Sequence, residues 1–164
     1  MRNYQYIETK QYAALKELLH QVARWKFLGR KIVFTNGGFD ILHRGHIRSL
    51  ETAASFGDVL IVGLNTDASV KISKGPLRPI NQMEDRRLLL ASLEVVDAVI
   101  PFDEETPLHL ITAIRPDVLV KGGDYTLDKI VGAPEVMGWG GKVEIVPFEN
   151  GYSTTGLIAK ITNL

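Results

Sequence analysis

The segment KIVFTNGGFDILHRGHIRSL (residues 31–50) holds a strand, a turn and a helix start in direct succession. KIVFT (31–35) is rich in β-branched residues, which is typical of a strand. NGGFD (36–40) follows as a turn-rich segment, and GHIRSLETAASF (45–56) has the spacing of a helix. The segment therefore predicts a βα unit whose turn carries two glycines and whose helix start carries two histidines.

The same alternation continues along the chain. DVLIVGLN (58–65) is a continuous apolar run, as expected of a strand that is buried on both faces. Further strands are predicted at 98–102, 117–124 and 142–148, helices at 83–96, 106–114, 133–138 and 153–161, and a polar loop at 66–81. An amphipathic helix at 9–28 precedes them. This order predicts an α/β protein with a Rossmann-like, five-stranded parallel sheet, helices on both faces and an added N-terminal helix.

Length and composition fit one globular domain. The chain has 164 residues, of which 45% are hydrophobic and 23% charged. We expect a single domain over 1–164, with an N-terminal helical extension (1–29) and a catalytic core (30–162). With no cysteine, a disulfide framework, a thiolate metal site and a cysteine nucleophile are excluded. The chain shows no signal peptide and no apolar run of roughly 20 residues, so we expect a cytoplasmic protein that does not contact membranes.

Charge argues against nucleic acid as a partner. Nineteen basic and nineteen acidic residues give a formal net charge of zero, so a chain-wide basic footprint is missing. The charge is uneven, because residues 1–50 carry nine basic and three acidic side chains. This asymmetry fits either an ordinary solvated surface or a local field that attracts a small anion.

The turn after the first strand is the strongest candidate site, because ligands of parallel sheets bind at the carboxyl ends of the strands. Adjacent glycines admit a ligand close to the backbone, and a helix N-terminus favours an anion. His43 and His46 share a helix face at this start. Their chemistry fits phosphate binding, half of a metal site, or a purely structural pair.

His43-Arg44-Gly45-His46 after a glycine-rich strand end resembles the H-x-G-H signature of the nucleotidyltransferase superfamily. The chain is most similar to bacterial D-glycero-β-D-manno-heptose 1-phosphate adenylyltransferases, over about residues 30–162. The similar segments are TNGGFDILHRGH (35–46), GDVLIVGLNTDASV (57–70), KGPLRPIN (74–81), LEVVDAV (93–99), RPDVLVKGGDY (115–125) and GYSTTGLI (151–158). In two-domain members a sugar kinase precedes this region, so we expect a separate kinase to supply the sugar phosphate here.

The resemblance implies transfer of an adenylyl group from ATP to a sugar 1-phosphate. It implies Mg²⁺ bound mainly through nucleotide phosphates, no metal ligands in the protein, and a homo-oligomer. The residues with implied catalytic roles are His43, His46 and Lys74. Those with implied nucleotide-binding roles are Asn36, Gly37, Gly38, Phe39, Gly45, Lys121, Gly122, Asp124, Ser153, Thr154 and Thr155. Those with implied substrate-binding roles are Asp40, Asn65, Asp67 and Arg86.

Plainer explanations exist for several of these residues. Ser153, Thr154 and Thr155 precede the last helix and could bind phosphate, although a helix N-cap needs only one hydroxyl. Lys74 lies in a basic segment that could clamp a triphosphate or simply be solvated. Asp124 could accept hydrogen bonds from sugar hydroxyls or close a tight turn. Asp40 fits an orienting role as well as a catalytic one.

Two other functions remain compatible with the sequence. The first is a related transferase that uses CTP with glycerol 3-phosphate, or ATP with a flavin nucleotide. Glycerol-3-phosphate cytidylyltransferases carry an arginine where this chain has Phe148, which favours the heptose enzyme. The second is a nucleotide-binding module without catalysis, and the presence of both histidines, the basic segment and the hydroxyl turn argues against it.

Overall fold

The computed structural model describes residues 5–149 and 151–164. Its five strands form one parallel sheet in the order β3-β2-β1-β4-β5. The strands are β1 (Ile32–Gly37), β2 (Val59–Asn65), β3 (Ala98–Phe102), β4 (Val118–Gly122) and β5 (Lys142–Val146). The helices are α1 (Gln5–Glu8), α2 (Leu15–Phe27), α3 (Arg44–Ala54), α4 (Asp67–Lys74), α5 (Met83–Ala91), α6 (Leu108–Ile114), α7 (Ala133–Gly138) and α8 (Thr154–Thr162). The predicted parallel sheet is confirmed.

Helices cover both faces of the sheet because successive strand residues point to opposite sides. Ile32 and Phe34 of β1 lie in one apolar core, with residues of α2, α6 and α7. Val33 lies in the second core, with residues of α3 and α5. All three side chains are fully buried. The continuous apolar runs of the sequence therefore arise from strands that are covered on both faces, as predicted.

The strand order places a crevice beside β1. From β1 the chain moves outward through β2 to β3, then returns to β4 on the other side of β1 and continues to β5. β1 pairs with both β2 and β4. The direction of winding thus reverses between β1 and β4, which is where parallel α/β sheets bind ligands.

The predicted single helix at 9–28 is wrong over its first turns. Lys10 and Tyr12 instead pair with the edge of the sheet: the Val99 N–H donates to the Lys10 carbonyl at 2.8 Å, and the Tyr12 N–H donates to the Val99 carbonyl at 3.0 Å. The helix then runs as α2, with Leu18 and Val22 buried in the first core. Edge pairing gives backbone groups of residues 10–12 the partners that a helix would have supplied.

The predicted loop at 66–81 is also wrong in part, because α4 occupies Asp67–Lys74. The Thr66 side chain accepts a hydrogen bond from the Ser69 N–H and caps the helix. An aspartate in the first turn and two lysines in the last turn match the helix dipole. Gly75 ends the helix at a φ of +98°. The segment 75–81 then leads into α5.

Other predicted elements are present with different bounds. The helix predicted at 83–96 ends as α5 at Ala91, and the strand predicted at 142–148 ends as β5 at Val146. The Ser92 hydroxyl donates to the Leu88 carbonyl at the end of α5.

Across 5–149 and 151–164, no helix is long and apolar enough to cross a membrane.

Candidate active site

His43 is held in place by capping α3. Its backbone is extended, and its Nδ1 accepts a hydrogen bond from the His46 backbone N–H at 3.4 Å. A ring nitrogen that accepts a hydrogen bond carries no proton, so neutral His43 has its proton on Nε2. Burial lowers the pKa of His43 below its ordinary 6.5. The cap therefore orients the ring and leaves Nε2–H as its donor.

His46 stacks on His43, with ring centroids 3.8 Å apart and an angle of 20° between the rings. Burial, with a smaller contribution from His43, lowers the pKa of His46 to about 4, although the Asp40 carboxylate opposes the shift. Both imidazoles are thus neutral at pH 7, so no charge repulsion acts between the two stacked rings. Nδ1 of His46 is buried and has no hydrogen-bond partner among the described residues. Buried polar groups normally have partners, so this nitrogen is an exception within the site.

Gly45 makes this stacking possible. A Cβ at this position would lie 3.1 Å from the His43 ring and 3.3 Å from the Tyr152 Cβ. At Gly37 a Cβ would lie 3.1 Å from the Phe39 ring. The centroid of that ring lies 5.4 Å from the centroid of the His46 ring. These glycines are therefore explained by close packing around the histidines. Ligand contact at Gly37, Gly38 and Gly45 stays a prediction.

Asp40 ties the histidine loop to the segment before α5. Its buried carboxylate accepts hydrogen bonds from the Ile80 N–H (2.8 Å), the Asn81 N–H (2.9 Å) and Arg78 Nε (3.0 Å). Its backbone carbonyl accepts from the Thr154 hydroxyl at 2.8 Å. Burial alone would raise the pKa of Asp40, but these N–H groups and the guanidinium hold it below 3.8. The orienting role is the one that this geometry supports.

Arg86 joins the ends of two strands to two helices. Its side chain is fully buried and donates to the carbonyls of Gly38 (2.6 Å), Asn65 (2.9 Å) and Asn81 (3.0 Å). It also pairs with the Asp67 carboxylate at 2.6 Å. The guanidinium is thus directed at the chain itself, which differs from the expected contact with substrate. Asp67 likewise faces Arg86, and the Asn65 side chain donates to the Ser69 hydroxyl at 2.9 Å.

Two lysine side chains, Lys121 and Lys74, carry positive charge near the point where β1 and β4 separate. Lys121 Nζ lies 3.5 Å from the Asn36 side-chain oxygen, across the two strand ends. Burial is the main cause that lowers the pKa of Lys121, and the charge of Lys74 lowers it further. Lys74 itself is exposed in the last turn of α4 rather than in a loop. The two ammonium groups therefore act on the same region, and their contact with phosphate stays a prediction.

The KGGDY segment (121–125) ends β4 against an aromatic side chain. Gly123 has a φ of +122°, and a Cβ there would lie about 3.0 Å from the Phe148 ring. Phe148 is 66% exposed and also packs near Gly122. Asp124 is exposed beyond this turn. The segment thus forms an open surface beside β4, and nucleotide contact by Gly122 and Asp124 stays a prediction.

The three hydroxyls before α8 are not equivalent. Ser153 caps the helix by accepting from the Gly156 N–H at 3.0 Å, and Thr154 donates to the Asp40 carbonyl. Thr155 lies exposed in the first turn of the helix. The cap role is therefore present for Ser153, while phosphate binding by this helix start stays a prediction.

Arg44 forms a contact that sequence reasoning missed. Its guanidinium pairs with Glu149 at 2.8 Å and lies 5.4 Å from the centroid of the Tyr152 ring. The contact connects α3 to the segment before α8. Because the partners are about a hundred residues apart in the sequence, no local pattern signals it.

A cavity of about 240 Å³ lies at the carboxyl ends of β1, β2 and β4. Three of its lining residues were singled out from the sequence: Asn36, Asn65 and Lys121. Others come from the segments after β3 and β4 and were missed: Glu105, Tyr125 and Lys129. The rule that placed ligands at strand ends also covers the EETP segment after β3, so the signal was available there.

Mg²⁺ ligands from the protein were not expected from the sequence. Among residues 5–149 and 151–164, no group of three or more His, Asp or Glu side chains could hold a metal ion. The expected Mg²⁺, bound mainly through nucleotide phosphates, stays a prediction.

Comparison with known proteins identifies the family. The profile of a family described as cytidylyltransferase-like matches residues 34–160. The bifunctional protein HldE of Methylobacillus flagellatus is 54% identical over 149 residues, which cover 91% of this chain and 30% of that protein. HldE of Koribacter versatilis is 57% identical over 144 residues, or 88% of this chain and 30% of that protein. The chain thus spans about 30% of the length of these curated relatives.

Solved structures agree with the fold. The lipopolysaccharide core biosynthesis protein of Thermoplasma volcanium superposes with a TM-score of 0.60 at 31% identity, over 76% of this chain and all of that one. Pantoate–β-alanine ligase of Francisella tularensis gives a TM-score of 0.62 at 19% identity, over 94% of this chain and 72% of that one, and shows a shared fold. The family match, the HldE similarity and the paired histidines lead to one conclusion: the chain belongs to the cytidylyltransferase-like family and is a nucleotidyltransferase.

Proposed function

We propose that the protein transfers the adenylyl group of ATP to D-glycero-β-D-manno-heptose 1-phosphate, giving ADP-heptose and pyrophosphate for a surface glycan such as lipopolysaccharide. The observation that carries this proposal is the stacked, neutral pair of His43 and His46 at the start of α3. The heptose acceptor is supported by the sequence resemblance to heptose 1-phosphate adenylyltransferases. The similarity to HldE proteins and to a lipopolysaccharide core biosynthesis protein points the same way.

The reaction needs no covalent intermediate. An oxygen of the sugar phosphate attacks the α-phosphorus of ATP and forms a new P–O bond. The bond from the α-phosphorus to the bridging oxygen of the β-phosphate breaks, and pyrophosphate leaves with the electron pair. A phosphate monoester has a second pKa of about 6, so the attacking oxygen is ionised at neutral pH. Catalysis is then a matter of positioning and charge stabilisation.

The histidines stabilise the charge that develops on the α-phosphate. Each neutral imidazole donates one N–H to a non-bridging oxygen. Because the cap and the stacking fix the rings in advance, no reorganisation is needed when the charge appears. Lys74 and the start of α8, with Thr155, hold the leaving pyrophosphate.

The nucleoside lies along the open surface beside β4. Gly122 and the exposed Phe148 ring bound this surface. Asp124 is exposed at its end and accepts hydrogen bonds from ribose hydroxyls. Asp40 and Arg86 act as positioning residues, because their side chains bond to the chain itself and hold the histidine loop and the strand ends.

Mg²⁺ enters as part of the nucleotide substrate, where it neutralises phosphate charge.

We also propose a cytoplasmic location and a homo-oligomer. The homo-oligomer is supported by the resemblance to nucleotidyltransferases. Light scattering after size exclusion measures the mass in solution, and a monomer would contradict the oligomer.

The test is pyrophosphate release with Mg²⁺, crossing ATP and CTP with heptose 1-phosphate, glycerol 3-phosphate and FMN. Release with ATP and heptose 1-phosphate alone is expected. Release with CTP and glycerol 3-phosphate would retain the family and replace the substrates. If ATP binds and no pair releases pyrophosphate, the proposed reaction is wrong and a binding module is favoured. A His43→Ala variant controls for contaminating activity.

A further inference from the structure

The cavity at the ends of β1, β2 and β4 has a polar wall, and the proposed transfer step gives three of its side chains no role: Glu105, Tyr125 and Lys129. Glu105 lines it from the segment between β3 and α6. Tyr125 and Lys129 line it from the segment after β4. Lys121 and Asn36 line it on the side of the sheet. The wall therefore combines a carboxylate, an amide, two amines and an aromatic ring.

The size of the cavity limits its occupant. Its volume of about 240 Å³ lies below the roughly 300–1,000 Å³ of pockets for drug-sized ligands. A whole nucleoside triphosphate, with its base, ribose and three phosphates, is larger than this volume. A single ring with hydroxyl substituents matches both the volume and the polar lining. Because the proposed function places the ribose beside β4, the ring that is left for this cavity is the sugar of the acceptor.

We propose that this cavity seats the sugar ring of the acceptor and that Glu105 is a specificity-determining residue that accepts hydrogen bonds from the ring hydroxyls. The inference rests on the proposed function. An ionised carboxylate accepts hydrogen bonds and donates none, so it selects a ligand surface made of hydroxyl donors. It also repels a second anionic group, which adds discrimination against acceptors that carry one.

The contacts of Lys121 set the direction in which the acceptor enters. Lys121 Nζ reaches Asn36 at the end of β1, and the chain continues from there into the loop that carries the histidines. The ammonium thus lines the cavity and also lies beside the strand end that leads to the histidines. An acceptor with its phosphate beside Lys121 and its ring toward Glu105 presents the phosphate oxygen to the reacting centre.

Glu105→Gln and Glu105→Ala test this, with Glu104→Gln as the matched control. Glu104 is the neighbouring carboxylate, lies outside the cavity lining and pairs with His109 at 3.4 Å. Glu105 is exposed, so its variants should fold, and thermal unfolding checks this. The measurements are kcat/KM for heptose 1-phosphate and KM for ATP.

Glu105→Ala should lose about 10- to 100-fold in kcat/KM for heptose 1-phosphate, as expected when a hydrogen bond to a charged group is removed. Glu105→Gln keeps an acceptor oxygen without the charge, so its loss should be smaller. The KM of both variants for ATP should not change, and Glu104→Gln should match the wild type. An unchanged kcat/KM for heptose 1-phosphate in both Glu105 variants, an equal loss in Glu104→Gln, or a raised KM for ATP would overturn the role of Glu105. A wild type that is inactive with every acceptor would instead refute the proposed function, and this inference with it.

Discussion

Replacing Arg86 by methionine should destabilise the fold at the floor of the site rather than remove a ligand contact. Arg86 is fully buried and binds carbonyls of Gly38, Asn65 and Asn81, together with the Asp67 carboxylate. Methionine fills a similar volume and donates no hydrogen bond. The variant leaves three carbonyls and one carboxylate without their donor.

The magnitude follows from burial. Removing one partner of a buried ion pair costs about 3–5 kcal/mol. The Asp67 side chain is 34% exposed and regains part of its hydration, which favours the lower end, about 3 kcal/mol. For a chain of 164 residues, each kcal/mol corresponds to roughly 2–4 °C in Tm. The expected loss is therefore about 6–12 °C.

Thermal unfolding of Arg86→Met and of Arg48→Met as control measures this loss, and steady-state kinetics on the same samples measures KM. Arg48 forms an exposed pair with Glu51, so its variant should keep the wild-type Tm. A wild-type Tm together with a raised KM in Arg86→Met would refute the scaffold role. Arg86 would then be a ligand contact, as the sequence alone suggested.

His46→Ala should lower kcat by about 10²- to 10³-fold with little change in the Kd of ATP, because a donor to the transition-state charge is lost; normal turnover at saturating substrates would remove His46 from the mechanism. The imidazole of His46 should titrate near pH 4 in an NMR titration of the ligand-free protein, since burial and His43 lower its pKa; a midpoint near 6.5 would contradict the buried placement. Asp40→Asn should lower Tm at neutral pH. Because hydrogen bonds hold the pKa of Asp40 below 3.8, its stabilisation is complete above that value and is lost as the pH falls through the lower folded pKa. The difference in Tm from the wild type should thus shrink only in strong acid, and a difference that already shrinks between pH 7 and 5 would contradict the assignment.

Most of the fold could be predicted because its signals are local. Val33, Ile61 and their strand neighbours form apolar runs that only a doubly covered sheet explains. α4 was missed because Gly75 and the polar residues around it are typical of a loop. The break before α2 was missed because it depends on pairing of residues 10–12 with Val99, which is distant in the sequence.

The candidate site likewise has a part that local sequence signals predict and a part that depends on contacts between distant segments. His43, His46 and Ser153 lie in short motifs at helix starts, so their helix-start positions could be predicted from the sequence. The surroundings of Arg86 could not be predicted, because its partners come from separate segments that meet only in the folded chain. The wall of the cavity has the same origin, since Glu105 and Lys129 follow different strands.

The central claim is transfer of the adenylyl group of ATP, which contains the α-phosphate, to the sugar phosphate. Parallel reactions with heptose 1-phosphate and ATP labelled with ³²P at either the α- or the γ-phosphate test it most directly. The α-label should appear in the nucleotide sugar and the γ-label in pyrophosphate, and His43→Ala should slow both together. A γ-label in the sugar product, or in inorganic phosphate while the sugar phosphate is unchanged, would contradict adenylyl transfer.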